Sequence, residues 1–154
     1  MKILSGLSAV FLGAAVWAAP AGDKAFGLGL IAGDPFGISA KVPAGSMNAI
    51  DMIVGGGHFY RNGGFFVDAD YVWFNPKVIP PVSQGRFTLY YGPGVNISGA
   101  GGGAGIGVRF VAGIEYLFAE SPFDAFLELG PGIALVPEIW PDFSGGLGAR
   151  FFFR

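Results

Sequence analysis

Hydrophobic and polar positions alternate one by one through most of this chain. In "RFTLYYGPGVNI" (residues 86–97), Phe87, Leu89, Tyr91, Pro93, Val95 and Ile97 share one side. Arg86, Thr88, Tyr90, Gly92, Gly94 and Asn96 share the other. In "VRFVAGIEYLF" (108–118), Val108, Phe110, Ala112, Ile114, Tyr116 and Phe118 fall together, and Arg109 and Glu115 fall opposite them. "FFVDADYVWF" sets Asp68 and Asp70 against Phe65, Val67, Ala69, Tyr71 and Trp73. A two-residue period is that of a strand with one apolar face; wound as a helix, Arg109 and Glu115 would stand about 120° apart. Turn chemistry cuts the alternation into eight segments: 25–32, 38–42, 49–59, 65–74, 86–97, 107–118, 125–136 and 143–153. The separators are "GDPFG", "PAGSMN", "RNGG", "NPKVIPPVSQG", "SGAGGGAG", "AESPFD" and "PEIWPD". Glycine, proline, asparagine and aspartate supply the backbone angles that end strands. Short connections between successive strands predict an antiparallel meander.

The charges decide which face is inside. Lys41, Asp51, Asp68, Asp70, Arg86, Arg109, Glu115, Glu128 and Arg150 each fall on the polar face of a proposed strand. The opposite faces are nearly continuous in apolar residues, with aromatics toward the strand ends. A soluble barrel keeps its charges outside, whereas a membrane barrel turns an apolar band to lipid and a polar face to its lumen. The pattern therefore predicts an all-β, antiparallel, up-and-down, eight-stranded transmembrane β-barrel with those nine charges in the lumen. Glycines on the same face (Gly27, Gly29, Gly55, Gly57, Gly92, Gly94, Gly113, Gly130, Gly132, Gly146 and Gly148) make room for the charged side chains or leave a small cavity. Counting from the strand ends puts Arg86, Glu115, Glu128 and Arg150 at one depth, with Lys41, Asp51 and Asp70 in the same half. That row reads as an electrostatic plug beneath a more open, glycine-lined half. A narrow pore for water or small ions is the alternative. The proline-rich "NPKVIPPVSQG" is long for the short-turn end of such a barrel: either it is stiffened by extended proline geometry, or it hides a further hairpin.

Composition narrows the setting. "MKILSGLSAVFLGAAVWAAPA" (1–21) has one lysine, a short apolar run and a small-residue exit, the layout of a secretory signal peptide. The barrel would then occupy residues 22–154. Losing Lys2 with the leader leaves eight basic residues against eleven acidic ones, which is no footprint for nucleic acid. Cysteine is absent, so neither disulfides nor a lipoprotein anchor contribute. The 28 glycines accompany 52% hydrophobic residues and therefore belong to a folded chain, not a disordered one.

Candidate chemistry is sparse. "GGGAGIG" (101–107) has Gly-x-Gly spacing but no following helix to present amides to a phosphate, so it reads as an outer loop. His58 is the only histidine, and strand parity sets it on the face opposite Ser39, where the two cannot work as base and nucleophile. A lipid-modifying enzyme is thus a distant alternative, and no catalytic residue, cofactor or metal ligand set is expected.

From Gly22 to Arg154 the chain resembles the small OmpA/OmpX-type outer-membrane barrels of Gram-negative bacteria. Its closing "GLGARFFFR" is similar to their barrel-assembly signal, with Gly148, Phe151 and Phe153 as the matching positions and Arg154 as a departure, since such chains usually stop on the last aromatic. "FGLGLIAGDPFGISAK" and "FLELGPGIALVP" resemble a group of largely uncharacterised predicted barrels of this kind. The resemblance implies outer-membrane location, contact with membrane lipid and lipopolysaccharide, the barrel-assembly machinery as a partner during biogenesis, and a monomer. It carries no catalytic residues. The expected role is structural or surface-interacting.

Overall fold

The computed structural model describes residues 26–57, 64–100 and 103–153, and all eight of its elements are strands. They are β1 (Phe26–Asp34), β2 (Phe36–Pro43), β3 (Asn48–Gly56), β4 (Phe65–Asn75), β5 (Arg86–Ala100), β6 (Gly103–Leu117), β7 (Phe123–Val136) and β8 (Trp140–Phe153). Each pairs antiparallel with the next, and β8 pairs with β1 from Phe26↔Phe153 to Asp34↔Gly145, closing the barrel. Closure leaves no strand edge unpaired. Seven of the strands are longer than the turn signals suggested, whereas β3, expected over 49–59, ends at Gly56, and residues 58–59 lie outside the described residues. A single residue, Pro35, joins β1 to β2, and the "SGAGGGAG" expected to be a loop is mostly strand, since β5 runs to Ala100 and β6 starts at Gly103. Residues 76–85 do form a long connection, and no ninth strand lies within it.

The register makes the barrel tilt. Pairing followed from Gly27 through Lys41, Asp51, Asp70, Gly94, Arg109 and Gly132 arrives at Asp142. That is ten residues short of Phe152, which Gly27 pairs directly. A stagger of this size inclines the strands to the barrel axis, so a row of paired residues climbs as it passes round the wall.

Side chains sort as the alternation predicts. Leu30, Phe36, Ile38, Val54, Val95, Phe110, Leu129 and Leu147 point outward and are exposed, while Ile31, Ile53, Val72, Tyr90, Val111 and Phe126 fill the interior. Among the described strand residues, the only charge at an outward-parity position is Asp34, the last residue of β1. Aromatics gather at the end of the barrel where Phe26 and Phe153 lie. Phe87, Tyr116 and Phe118 touch in sequence, as do Phe123, Phe151, Phe153 and Phe26. Phe151 and Phe153 thus stand on the outer surface, while Gly148 faces inward with its open side against the Phe126 ring.

Candidate functional site in the barrel lumen

The inward faces bring their charges into two clusters. In the first, Arg109 reaches across β5 to β4. Its Nε donates to Asp70 Oδ1 at 2.9 Å, its Nη2 pairs with Asp70 Oδ2, and its Nη1 lies 3.0 Å from Asp68 Oδ2. On the other side, Nη1 donates to Ser144 Oγ at 2.8 Å and Nη2 to Glu128 Oε1 at 3.4 Å. Asp68 is fixed in turn by the Ile53 amide at 2.9 Å.

Arg150 and Lys41 build the second cluster. Arg150 donates from Nε to Asp124 at 3.1 and 3.2 Å and from Nη1 to Asp51 at 2.9 Å, and its Nη2 reaches Glu115 at 3.5 Å. Its guanidinium lies 4.0 Å from the centre of the Phe126 ring. Lys41 pairs with Glu115 and with Asp51 at 3.7 Å, and it sits over the Phe74 and Tyr90 rings. The Tyr90 hydroxyl donates to Glu128 Oε2 at 2.9 Å and so ties the two clusters together. Charges taken from water in this way are held only by close pairing and hydrogen bonding. Among the described residues, Asp51, Asp68, Asp70, Glu115, Asp124 and Glu128 face three cations, so the lumen carries an acidic excess.

The inward glycines are where the large side chains go. Tyr90 pairs across the strand with Gly113, Phe126 with Gly148, Phe152 with Gly27, Asp70 with Gly94, and Arg109 with Gly132. A Cβ on Gly113 would stand 2.3 Å from the Tyr90 ring, and one on Gly148 2.3 Å from the Phe126 ring. Inside a small barrel, neighbouring strands converge, and alternating large with small residues is what fits the taper. The glycine-lined half expected to be open is covered: Cβ positions on Gly94, Gly130 and Gly132 run into Asp70, Ser144 or Arg109.

Eight of the nine charges assigned to the lumen are buried and paired; Arg86 is not. It lies at the first position of β5, paired with Leu117 at the end of β6, and its side chain is exposed at the barrel mouth. The single row of Arg86, Glu115, Glu128 and Arg150 is corrected for the same reason. Depth counted from strand ends ignores the stagger, which sets Glu115 with Arg150 in one cluster and Glu128 with Arg109 in the other. Asp124, placed in a turn from the sequence, is fully buried as the second residue of β7. Extending the alternation of "AFLELG" back by one residue would have found it on the face of Glu128. A pair of variants tests this exchange. Arg86→Ala should leave the urea midpoint of the folded barrel within about 0.5 kcal/mol of the parent, as for most exposed sites. Asp124→Ala should lower stability by about 3–5 kcal/mol, because Arg150 loses the carboxylate that accepts from both its Nε and its backbone amide.

Ser39 is buried on the inward face of β2, 3.5 Å from Arg150 Nη1. His58, Arg61 and the leader at 1–21 lie outside the described residues. Among the described residues, no group of three or more histidine, cysteine, aspartate or glutamate side chains is arranged to hold a metal ion. Comparison with protein-family models, curated proteins and solved structures returns no match.

Proposed function

We propose that this chain is a small outer-membrane barrel of the OmpA/OmpX type, with a closed lumen and a structural or surface-interaction role rather than a catalytic one. The observation that carries the reading is the inversion of the wall. Ion-paired charges fill the interior, and between the rims the outer face presents only uncharged, mostly apolar side chains. In water such a surface would far exceed the apolar patches that soluble monomers expose. Against lipid it is the expected outer band, and the belt of touching aromatics at the terminal end suits a membrane interface. On this reading residues 1–21 are removed on export, the barrel-assembly machinery inserts the chain, and membrane lipid and lipopolysaccharide surround it as a monomer. The short connections at the end opposite residues 76–85, such as Pro35 between β1 and β2 and 137–139 between β7 and β8, leave little for a large adhesive surface.

Packing favours a closed lumen over a pore, since the glycines that would have lined a channel are covered by Asp70, Arg109, Ser144, Tyr90 and Phe126. Two measurements on the protein from a membrane fraction test the reading. Unboiled in SDS, it should run at a different mobility from the boiled chain, as a detergent-resistant barrel does; in planar bilayers it should be electrically silent. Recovery from the soluble fraction with no heat-dependent shift would overturn the membrane reading. A steady single-channel current would replace the closed lumen with a pore, which the acidic excess would make cation-selective.

A further inference from the structure

Two near-copies of one motif interrupt the wall. "YGPGV" (91–95) lies in β5 and "LGPGI" (129–133) in β7, one on each side of β6. Their prolines have no N–H to give to a neighbouring strand. The ladders record the loss. Pairing of β4 with β5 runs to Asp70↔Gly94, skips Tyr71 and Val72, and resumes at Trp73↔Tyr91. Pairing of β6 with β7 stops at Arg109↔Gly132 and resumes at Ala112↔Leu129, with a further irregularity at Ile106 and Gly107. Between these seams the β5–β6 ladder is unbroken over fifteen pairs, from Arg86↔Leu117 to Ala100↔Gly103.

The glycines of the two motifs flank a single side chain. Arg109 is paired with Gly94 on one side and Gly132 on the other. A Cβ on Gly94 would stand 1.7 Å from Asp70 Oδ1, and one on Gly130 would lie 2.6 Å from Ser144 Oγ and 3.3 Å from Arg109 Nη1. The missing side chains therefore clear the paths by which Arg109 crosses the first seam to Asp68 and Asp70 and the second to Glu128 and Ser144. Outside, an apolar groove of about 790 Å³ runs over both seams, lined by Ala69, Tyr71, Pro93, Phe110, Pro131 and Ile133.

We propose that the β5–β6 hairpin is a separable stave of the barrel wall, latched from the lumen by Arg109 across two proline seams. Side-chain bonds there stand in for the backbone bonds that Pro93 and Pro131 cannot make. Release of the latch opens the wall sideways, between the charged cluster and the outer groove, and not through either mouth. Hydrogen–deuterium exchange of the whole barrel in lipid nanodiscs tests this. Amides of Tyr71 and Phe110, which face Pro93 and Pro131 across the seams, should exchange about tenfold faster than those between β2 and β3, the effect of one lost hydrogen bond beside each. Arg109→Met should accelerate the two seams further while leaving the β1–β2 and β8–β1 contacts unchanged. Pro93→Val with Pro131→Val restores both donors and should slow seam exchange to the rate elsewhere, a result that needs no destabilised variant. Seams as protected as the β2–β3 contact in the parent protein would overturn the proposal. So would faster exchange spread evenly round the wall in Arg109→Met, or no slowing in the double proline variant.

Discussion

Replacing Arg150 by alanine is expected to cost the barrel about 3–5 kcal/mol, the penalty for breaking a buried ion pair from one side. The guanidinium is among the largest fully buried groups of the protein, and Asp51, Glu115 and Asp124 converge on it from β3, β6 and β7. Lys41 still serves Asp51 and Glu115 once Arg150 is gone. Asp124 has no second cation in reach among the contacts seen, so it carries most of the loss. Removing it as well should therefore recover part of the stability. Arg150→Ala with Asp124→Ala should be less damaging than the sum of the two, a coupling characteristic of neighbours in one network. Arg150→Met keeps apolar contact with the Phe126 ring and separates packing from charge; if charge dominates, it falls close to Arg150→Ala. Urea titration in lipid vesicles, read as the folded fraction by unboiled gel mobility, measures all of these. Equal midpoints for parent and Arg150→Ala would mean that the lumen pairs do not hold the fold.

Gly113→Leu is expected to be about as damaging, for a steric reason. The Cβ alone would come within 2.3 Å of the Tyr90 ring and 2.8 Å of the Leu127 carbonyl oxygen. Tyr90 has little room to retreat, because it is 1% exposed and its hydroxyl is bonded to Glu128. Overpacking of a filled interior costs about 1–3 kcal/mol, and displacing a hydrogen bond to a charged group adds about 1.5–3 kcal/mol. Gly103→Leu is the matched control, since a Cβ there meets nothing within 4 Å. The first variant should fold poorly in the vesicle titration and the second normally. If both behave alike, the large-and-glycine pairing is not what fills the lumen.

Much of this architecture was legible in the sequence because a two-residue period leaves little freedom. Once Arg109 and Glu115 share a face, so does every second residue between them, and the strand count follows from the turns. Register was not legible. It depends on how eight strands agree on one stagger, and nothing local to Arg86 says whether the residue opposite it is Glu115 or Leu117. The error at Asp124 had a local cause, because Ser121 and Pro122 advertise a turn that ends two residues earlier than it looks. Of the two expectations for the inward glycines, room for charged side chains or a small cavity, the structure bears out the first at Gly94 and Gly132, and adds aromatic partners at Gly113 and Gly148. Those partners are fixed by register too, so the pairing of Tyr90 with Gly113 appears only when the wall is assembled.

Phe26 and Phe153 pair directly where β1 meets β8. The ends of the folded chain are therefore neighbours, and the junction between them is a strand contact like the other seven. A short linker from Phe153 to Phe26, with a new start cut into residues 76–85, would give a circularly permuted chain that keeps every contact of the wall. The order in which the staves are made belongs to biosynthesis, and the finished cylinder keeps no record of which came first.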